Sequence, residues 1–183
     1  MAEPGLADKV VLLHEALDRA AIPHAYGGAL ALAYYAEPRA TVDIDVNLFV
    51  GTEQYRRVLD VLEPLGVTRA PAEPTMTRDG QGRAWWGRNP LDLFFAYDAV
   101  HLAMRDGARV VPFGPDSIPI LAPEHLVVAK VVFDRPKDWL DLEQLLVATP
   151  DLDVGEITGW LDHLVGSVDA RARRFEELRR RLA

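Results

Sequence analysis

The sequence predicts a mixed α/β (α+β) unit over residues 1–121 followed by a helical region over 122–183. Three observations lead there. The run VDIDVNLF at 42–49 alternates strictly, as a half-buried strand does. Apolar residues at helical spacing precede it, and short β-type runs follow it. Beyond residue 122 the pattern is helical, with Pro123 and Pro136 each placed to open a helix. At roughly 150 residues per domain, 183 residues make one domain with room for a helical extension.

Each element has a local reason. Leu6, Val10, Leu13, Leu17 and Ala20 predict an amphipathic helix over 6–21, stopped by Pro23. A short extended piece, His24–Tyr26, meets Gly27 and Gly28, and an Ala- and Leu-rich helix over about 29–36 runs until Pro38. In the alternating run, Val42, Ile44, Val46 and Leu48 share one face, and Asp43, Asp45 and Asn47 the other. Thr52 is placed to cap a helix over about 53–64, ended by Pro64 and Gly66. Residues 71–82 read as an exposed loop. Arg83–Gly87 and Leu91–Tyr97 read as a hairpin around Arg88, Asn89 and Pro90. A short helix near 98–105 and β-type pieces at 108–113 and 117–121 complete the first part. Helices follow through about 134 and 148, then over 153–165 and 168–182.

Composition excludes several classes. The absence of cysteine removes disulfide scaffolds and thiolate zinc or iron–sulfur sites, and fits a reducing, cytoplasmic setting. No apolar stretch approaches the ~18 residues of a membrane span. The opening MAEPGLADK lacks the basic-then-apolar layout of a signal peptide. A net charge of −8 argues, taken whole, against a nucleic-acid surface. It is unevenly distributed: residues 171–183 hold six Arg and two Glu, or +4, and the first 170 residues carry −12. Only three of the 20 basic residues are lysines, Lys9, Lys130 and Lys137.

Asp43 and Asp45, two apart on a strand, project from one face and can hold a hard cation such as Mg²⁺. The alternative is a solvated strand face. Upstream, Gly27 and Gly28 between strand and helix let backbone N–H groups approach an anion. Asp92, flanked by Leu91, Leu93, Phe94 and Phe95, is a carboxylate in an otherwise buried strand, where it needs a metal or an arginine partner. Three carboxylates beside a phosphate-binding turn can make a two-metal phosphoryl-transfer site in which Asp92 orients or deprotonates an acceptor hydroxyl.

Tyr26-Gly27-Gly28, then Asp43-Ile44-Asp45, then Leu91-Asp92-Leu93 resembles the nucleotidyltransferase superfamily of the polymerase-β type. Arg39-x-Thr41-x-Asp43-x-Asp45 and Arg135-Pro136-Lys137-Asp138-x-x-Asp141-Leu142 are similar to the AbiEii-type branch, which includes toxins of toxin–antitoxin pairs. The resemblance covers about residues 22–148. It implies a nucleotidyltransferase-type mixed sheet flanked by helices, with metal held by Asp43, Asp45 and Asp92. It further implies nucleotide contacts by Lys130 and Asp138, with Gly27, Gly28, Arg39, Thr41 and Lys137 beside them. Many relatives carry Ser or Thr where this chain has Ala29, so one hydroxyl contact to phosphate is absent.

Lys130, Arg135 and Lys137 could together meet triphosphate oxygens. The alternative pairs Lys130 with Glu124 or Asp134, and Lys137 with Asp141, at helical spacing. Among other candidates, His24 stands next to the glycine turn. Trp85 and Trp86 could stack a base or serve packing. The arginines at 171–181 could meet RNA phosphates or pair locally, as Glu176 with Arg180. The expectation is a Mg²⁺- or Mn²⁺-dependent transfer of NMP from an NTP to a hydroxyl, and the resemblance implies RNA, such as a tRNA end, as acceptor and an antitoxin protein as a further partner. A small aminoglycoside-type acceptor is the alternative within enzymes. A degenerate nucleotide-binding or interaction protein is the alternative outside them.

Overall fold

A computed structural model describes residues 3–69 and 80–182. The chain forms two compact units, one of Met1–Leu30 with Ala40–Leu121, the other of Ala31–Arg39 with Ala122–Ala183. Residues 31–39 thus belong with the C-terminal helices, which the sequence does not announce.

The first unit is built on a mixed sheet. Its described strands are β1 (His24–Tyr26), β2 (Ile44–Gly51), β3 (Val67–Arg69), β4 (Gln81–Trp86), β5 (Asn89–Ala96), β6 (Arg109–Phe113) and β7 (Asp116–Ile120), in the order β3-β4-β5-β2-β1-β7-β6. β2 runs parallel to β5 and β1 to β7; the other neighbours are antiparallel. Its described helices are α1 (Leu6–Arg19), α2 (Gly28–Leu32), whose last two residues belong to the second unit, α3 (Tyr55–Leu62) and α4 (Ala99–Asp106). The apolar face of α1 buries Val10, Leu13 and Leu17, and the Tyr26 hydroxyl of β1 donates to the Val10 carbonyl at 2.7 Å. Asp98 caps α4 by accepting the Val100 amide at 2.9 Å.

Register explains the core. Ile44, Val46 and Leu48 lie opposite Leu91, Leu93 and Phe95, and all six are buried on one face. On the other face Asn47 and Phe49 are buried as well, so the polar face of β2 is open only near its start. Val42 precedes the strand and is 62% exposed, contrary to the expected alternation.

Other expectations are corrected locally. The helix after Gly28 closes at Leu32 and continues only as turns. Thr52 opens a 3₁₀ turn, Thr52–Gln54, instead of capping α3, and Gly66 ends the region at φ +91°. The hairpin turns on Gly87 and Arg88, with Gly87 at φ +58°, so Asn89 and Pro90 already belong to β5. Gln81 and Gly82 lie in β4; the rest of the expected 71–82 loop up to residue 79 is outside the described residues.

The second unit holds α5 (Pro123–Phe133), α6 (Pro136–Ala148), α7 (Val154–Leu164) and α8 (Ala170–Leu182). Pro123 and Pro136 each occupy a first turn, where the missing N–H costs nothing. Leu126, Val127, Val131, Leu142, Leu145, Ile157, Leu161 and Phe175 form its core. Arg171 of α8 donates to the Val132 carbonyl at 3.0 Å. Among the described residues no helix is long and apolar enough to cross a membrane.

Candidate active site

In the first unit, β1 ends at Tyr26 and the chain turns through Gly27 and Gly28. The Gly27 amide donates to the Asp45 carbonyl at 3.0 Å, which ties the turn to β2. A Cβ on Gly27 would come 2.8 Å from Asn47 Nδ2. Gly28 adopts φ +54°, and a Cβ there would run into the Asp45 carboxylate. Glycine at both positions is what allows this turn to lie against Asp45.

Asp45, Asp92 and Arg83 form a row across three strands. Asp45 of β2 is the register partner of Asp92 of β5, which is in turn the partner of Arg83 of β4. The adjacent row, Ile44, Leu91 and Ala84, points the other way and is buried. Asp43 lies two residues before Asp45 at the mouth of β2. Its amide donates to Thr41 Oγ1 at 3.2 Å, so Thr41 shapes the backbone that delivers Asp43.

Arg83 is the residue that the sequence reading missed. Its Nε and Nη2 donate to the two oxygens of Asp92 at 2.6 and 2.8 Å, a bidentate pair. The hydrogen bonds that Arg83 donates to Asp92, with the negative charges of Asp92, Asp43 and Asp45, hold the guanidinium more firmly protonated than usual despite partial burial. The donor chemistry suits a hard divalent cation, because all three candidates offer carboxylate oxygens. The expected convergence on a single point is not found, however: among the described residues no three His, Asp or Glu side chains are gathered closely enough to hold a metal ion. Three like charges repel one another, and Asp92 meets a positive charge in Arg83.

The second unit carries a separate charge network. Lys130 Nζ lies 2.5 Å from Asp141 and 3.6 Å from Asp138, with all three side chains at most 4% exposed. Arg39 holds the other side of Asp141 through two bonds of 2.9 and 3.0 Å. Arg135 holds Asp138 through bonds of 2.6 and 3.1 Å, and its own amide donates to the same carboxylate at 3.2 Å. Burial pushes the Asp141 carboxyl up, but Arg39 and Lys130 together pull it below the ordinary aspartate value. The partners expected for Lys130, Glu124 and Asp134, are not the ones it meets. Asp141, expected beside Lys137, is held by Lys130 and Arg39 instead, while Lys137 is exposed.

The remaining candidates separate cleanly. His24 is buried, in contact with His14 (Nε2 to Nδ1 2.9 Å) and with the Ile22 carbonyl. Trp86 is buried under Lys9, whereas Trp85 is 40% exposed. Lys9, unassigned by the sequence reading, is fully buried. Its ammonium meets Glu3, the Trp86 carbonyl and Asn89 Oδ1 at 2.5, 2.8 and 2.7 Å. In the C-terminal helix Arg171, Arg174, Arg179 and Arg181 pair with Asp169, Asp134, Glu176 and Glu143. Glu176 therefore takes Arg179, one residue earlier than expected, and Arg180 donates to its backbone carbonyl.

No family model and no curated protein matches the chain. Solved structures do. The chain is similar to ANT(2″)-Ia in complex with adenylyl-2″-tobramycin at a TM-score of 0.60 and 16% identity, covering 96% of this chain and 95% of that one. It is similar to the lincosamide antibiotic adenylyltransferase LnuA, solved with lincomycin bound, at a TM-score of 0.56 and 12% identity, over 79% and 98%. A nucleotidyltransferase-like protein from Paracoccidioides brasiliensis matches at a TM-score of 0.56 and 16% identity, over 93% and 92%. The fold is the nucleotidyltransferase fold. At these identities the likeness defines architecture, and the AbiEii-type branch is neither favoured nor disfavoured by it.

Proposed function

We propose that the chain is a nucleotidyltransferase that moves NMP from an NTP to a hydroxyl and releases pyrophosphate. The observation that carries this reading is the placement of Asp45 and Asp92 side by side in register, beside the Gly27–Gly28 turn, with Asp43 two residues upstream. Asp43, Asp45 and Asp92 would hold Mg²⁺ (or Mn²⁺), whose chemistry is to neutralise triphosphate charge. Asp92 accepts the proton of the acceptor hydroxyl. The hydroxyl oxygen bonds to the α-phosphorus as the bond to pyrophosphate breaks. Gly27 and Gly28 bring backbone to the phosphates, and Thr41 sets the approach of Asp43. In the second unit the resemblance assigns nucleotide contact to Lys130 and Asp138. Their burial supports a shaping role for them and for Arg39, and leaves exposed Lys137 as the lysine open to phosphate.

A small polar molecule bearing hydroxyls is the acceptor that the solved neighbours support, since one carries an adenylylated tobramycin and another lincomycin. The ion pairs along the C-terminal helix support the same choice over RNA, because they neutralise four of its six arginines. A tRNA end, a toxin role and an antitoxin partner rest on the sequence resemblance alone. One observation favours a non-catalytic reading: both oxygens of Asp92 are engaged by Arg83. The test is incubation with each α-labelled NTP and Mg²⁺ or Mn²⁺, alongside tobramycin, lincomycin or total RNA. Label on a small molecule supports the proposal and label on RNA moves the acceptor. No transfer to any acceptor, together with no metal-dependent NTP binding, refutes the enzyme.

A further inference from the structure

The Arg83–Asp92 pair has a geometry suited to exchange. The two side chains face each other across β4 and β5 as register partners, and both guanidinium–carboxylate bonds are short. Their backbones are held. The hairpin closes through the Gly87–Arg88 turn, and the Lys9 ammonium clamps its end by binding the Trp86 carbonyl and Asn89 Oδ1. The Asn89 side chain in turn donates to the Val42 carbonyl at 2.8 Å, beside the start of β2. Only the Arg83 side chain is free to leave. It is 51% exposed, against 16% for Asp92, so it can swing into water while the carboxylate stays in place.

Charge points the same way. Arg83 is the positive member of a row with Asp45 and Asp92, and it feels the field of Asp43 as well. A guanidinium and a divalent cation draw on the same carboxylate oxygens, and at that distance the two positive charges repel, so each weakens the other's hold.

We infer that Arg83 is a built-in counter-cation that occupies Asp92 and competes directly with the divalent cation for it. This rests on the proposed nucleotidyl-transfer reading, since it needs that cation to belong at Asp43, Asp45 and Asp92. Arg83 then serves as a positioning residue with two states: closed on Asp92, or displaced when metal enters. The charge of Asp92 is balanced in one state by Arg83 and in the other by the metal.

The test is Mn²⁺ affinity, read as free Mn²⁺ by electron paramagnetic resonance, for the wild type, Arg83→Gln and Arg83→Lys, each with and without NTP. Because a charge-assisted bidentate bond must be broken in the wild type, Arg83→Gln should bind Mn²⁺ about tenfold more tightly. Arg83→Lys, which keeps the charge but loses the fork, should fall between. The melting temperature of Arg83→Gln should also rise more on adding Mn²⁺ than that of the wild type. Should Arg83→Gln fail to fold, Arg83→Lys carries the comparison. Equal or weaker Mn²⁺ binding in the variants overturns the competition and leaves the metal reading standing. Absence of Mn²⁺ binding from all three proteins overturns both.

Discussion

Replacing Asp141 by Asn tests the buried network of the second unit. Asp141 is 4% exposed and takes Lys130 on one side and the Arg39 fork on the other. Removing one partner of a buried ion pair costs about 3–5 kcal/mol. Here the lower end, about 3 kcal/mol, is expected, because Asp138 remains 3.6 Å from Lys130 and Arg39 is 34% exposed and can turn to water. Lys130→Met should cost less, about 1–2 kcal/mol, since Asp141 keeps Arg39, Asp138 keeps Arg135, and the methionine fills the same space. Equilibrium urea denaturation reads both. Tryptophan fluorescence reports both units, as Trp139 and Trp160 lie in the second and Trp85 and Trp86 in the first. Acid adds a second signature. Asp141 titrates below its ordinary value of 3.8 when folded, so its contribution is full above that value. It is lost as pH falls through the lower folded value, a component that Asp141→Asn lacks. A cost under about 1 kcal/mol for Asp141→Asn, or a larger cost for Lys130→Met, would refute the reasoning.

Three further outcomes follow from single sites. Gly28→Ala places a methyl group at φ +54° against the Asp45 carboxylate, so stability should fall by at least about 1–2 kcal/mol in urea denaturation; no measurable change would mean the turn is not built as described. Lys9→Met leaves the Trp86 carbonyl and Asn89 without their donor, and about 2–3 kcal/mol should be lost from the first unit, measured the same way. His24, His101 and His125 are each held below the ordinary histidine value of 6.5, chiefly by burial. They are neutral in the fold and take up protons on unfolding, so stability is full above about pH 6.5 and falls as pH drops toward their folded values. A denaturation midpoint that stays flat from pH 7 to pH 5 would contradict this.

The strongly patterned elements were legible. β1, the core of β2, α4 and the four C-terminal helices follow from apolar period and the two helix-opening prolines. β3 was not, because Val67–Arg69 is three residues long and is held by pairing with β4, not by its own pattern. The hairpin is legible, but the expected turn starts one residue late and is one residue too long. A turn on Arg88–Pro90 would put Trp86 opposite Asp92, whereas the two-residue Gly87–Arg88 turn puts Arg83 there. That shift hid the ion pair. The alternative pairing of Lys130 with Glu124 or Asp134 fails for a related reason. Spacing rules see neighbours on one helix, whereas its partners Asp138 and Asp141 come from the next helix. The three acidic candidates could be named from sequence because carboxylates in apolar strands are rare; their charge partners could not, because partnership depends on register.

The most direct test of the account is Asp45→Asn in the labelled transfer assay. Asn keeps the shape beside Gly28 and removes the charge, so the fold should persist by circular dichroism. If the row of Asp45 and Asp92 is where nucleotidyl transfer occurs, the wild type transfers NMP in a metal-dependent way and the folded variant does not. Transfer that continues undiminished in folded Asp45→Asn would contradict the account.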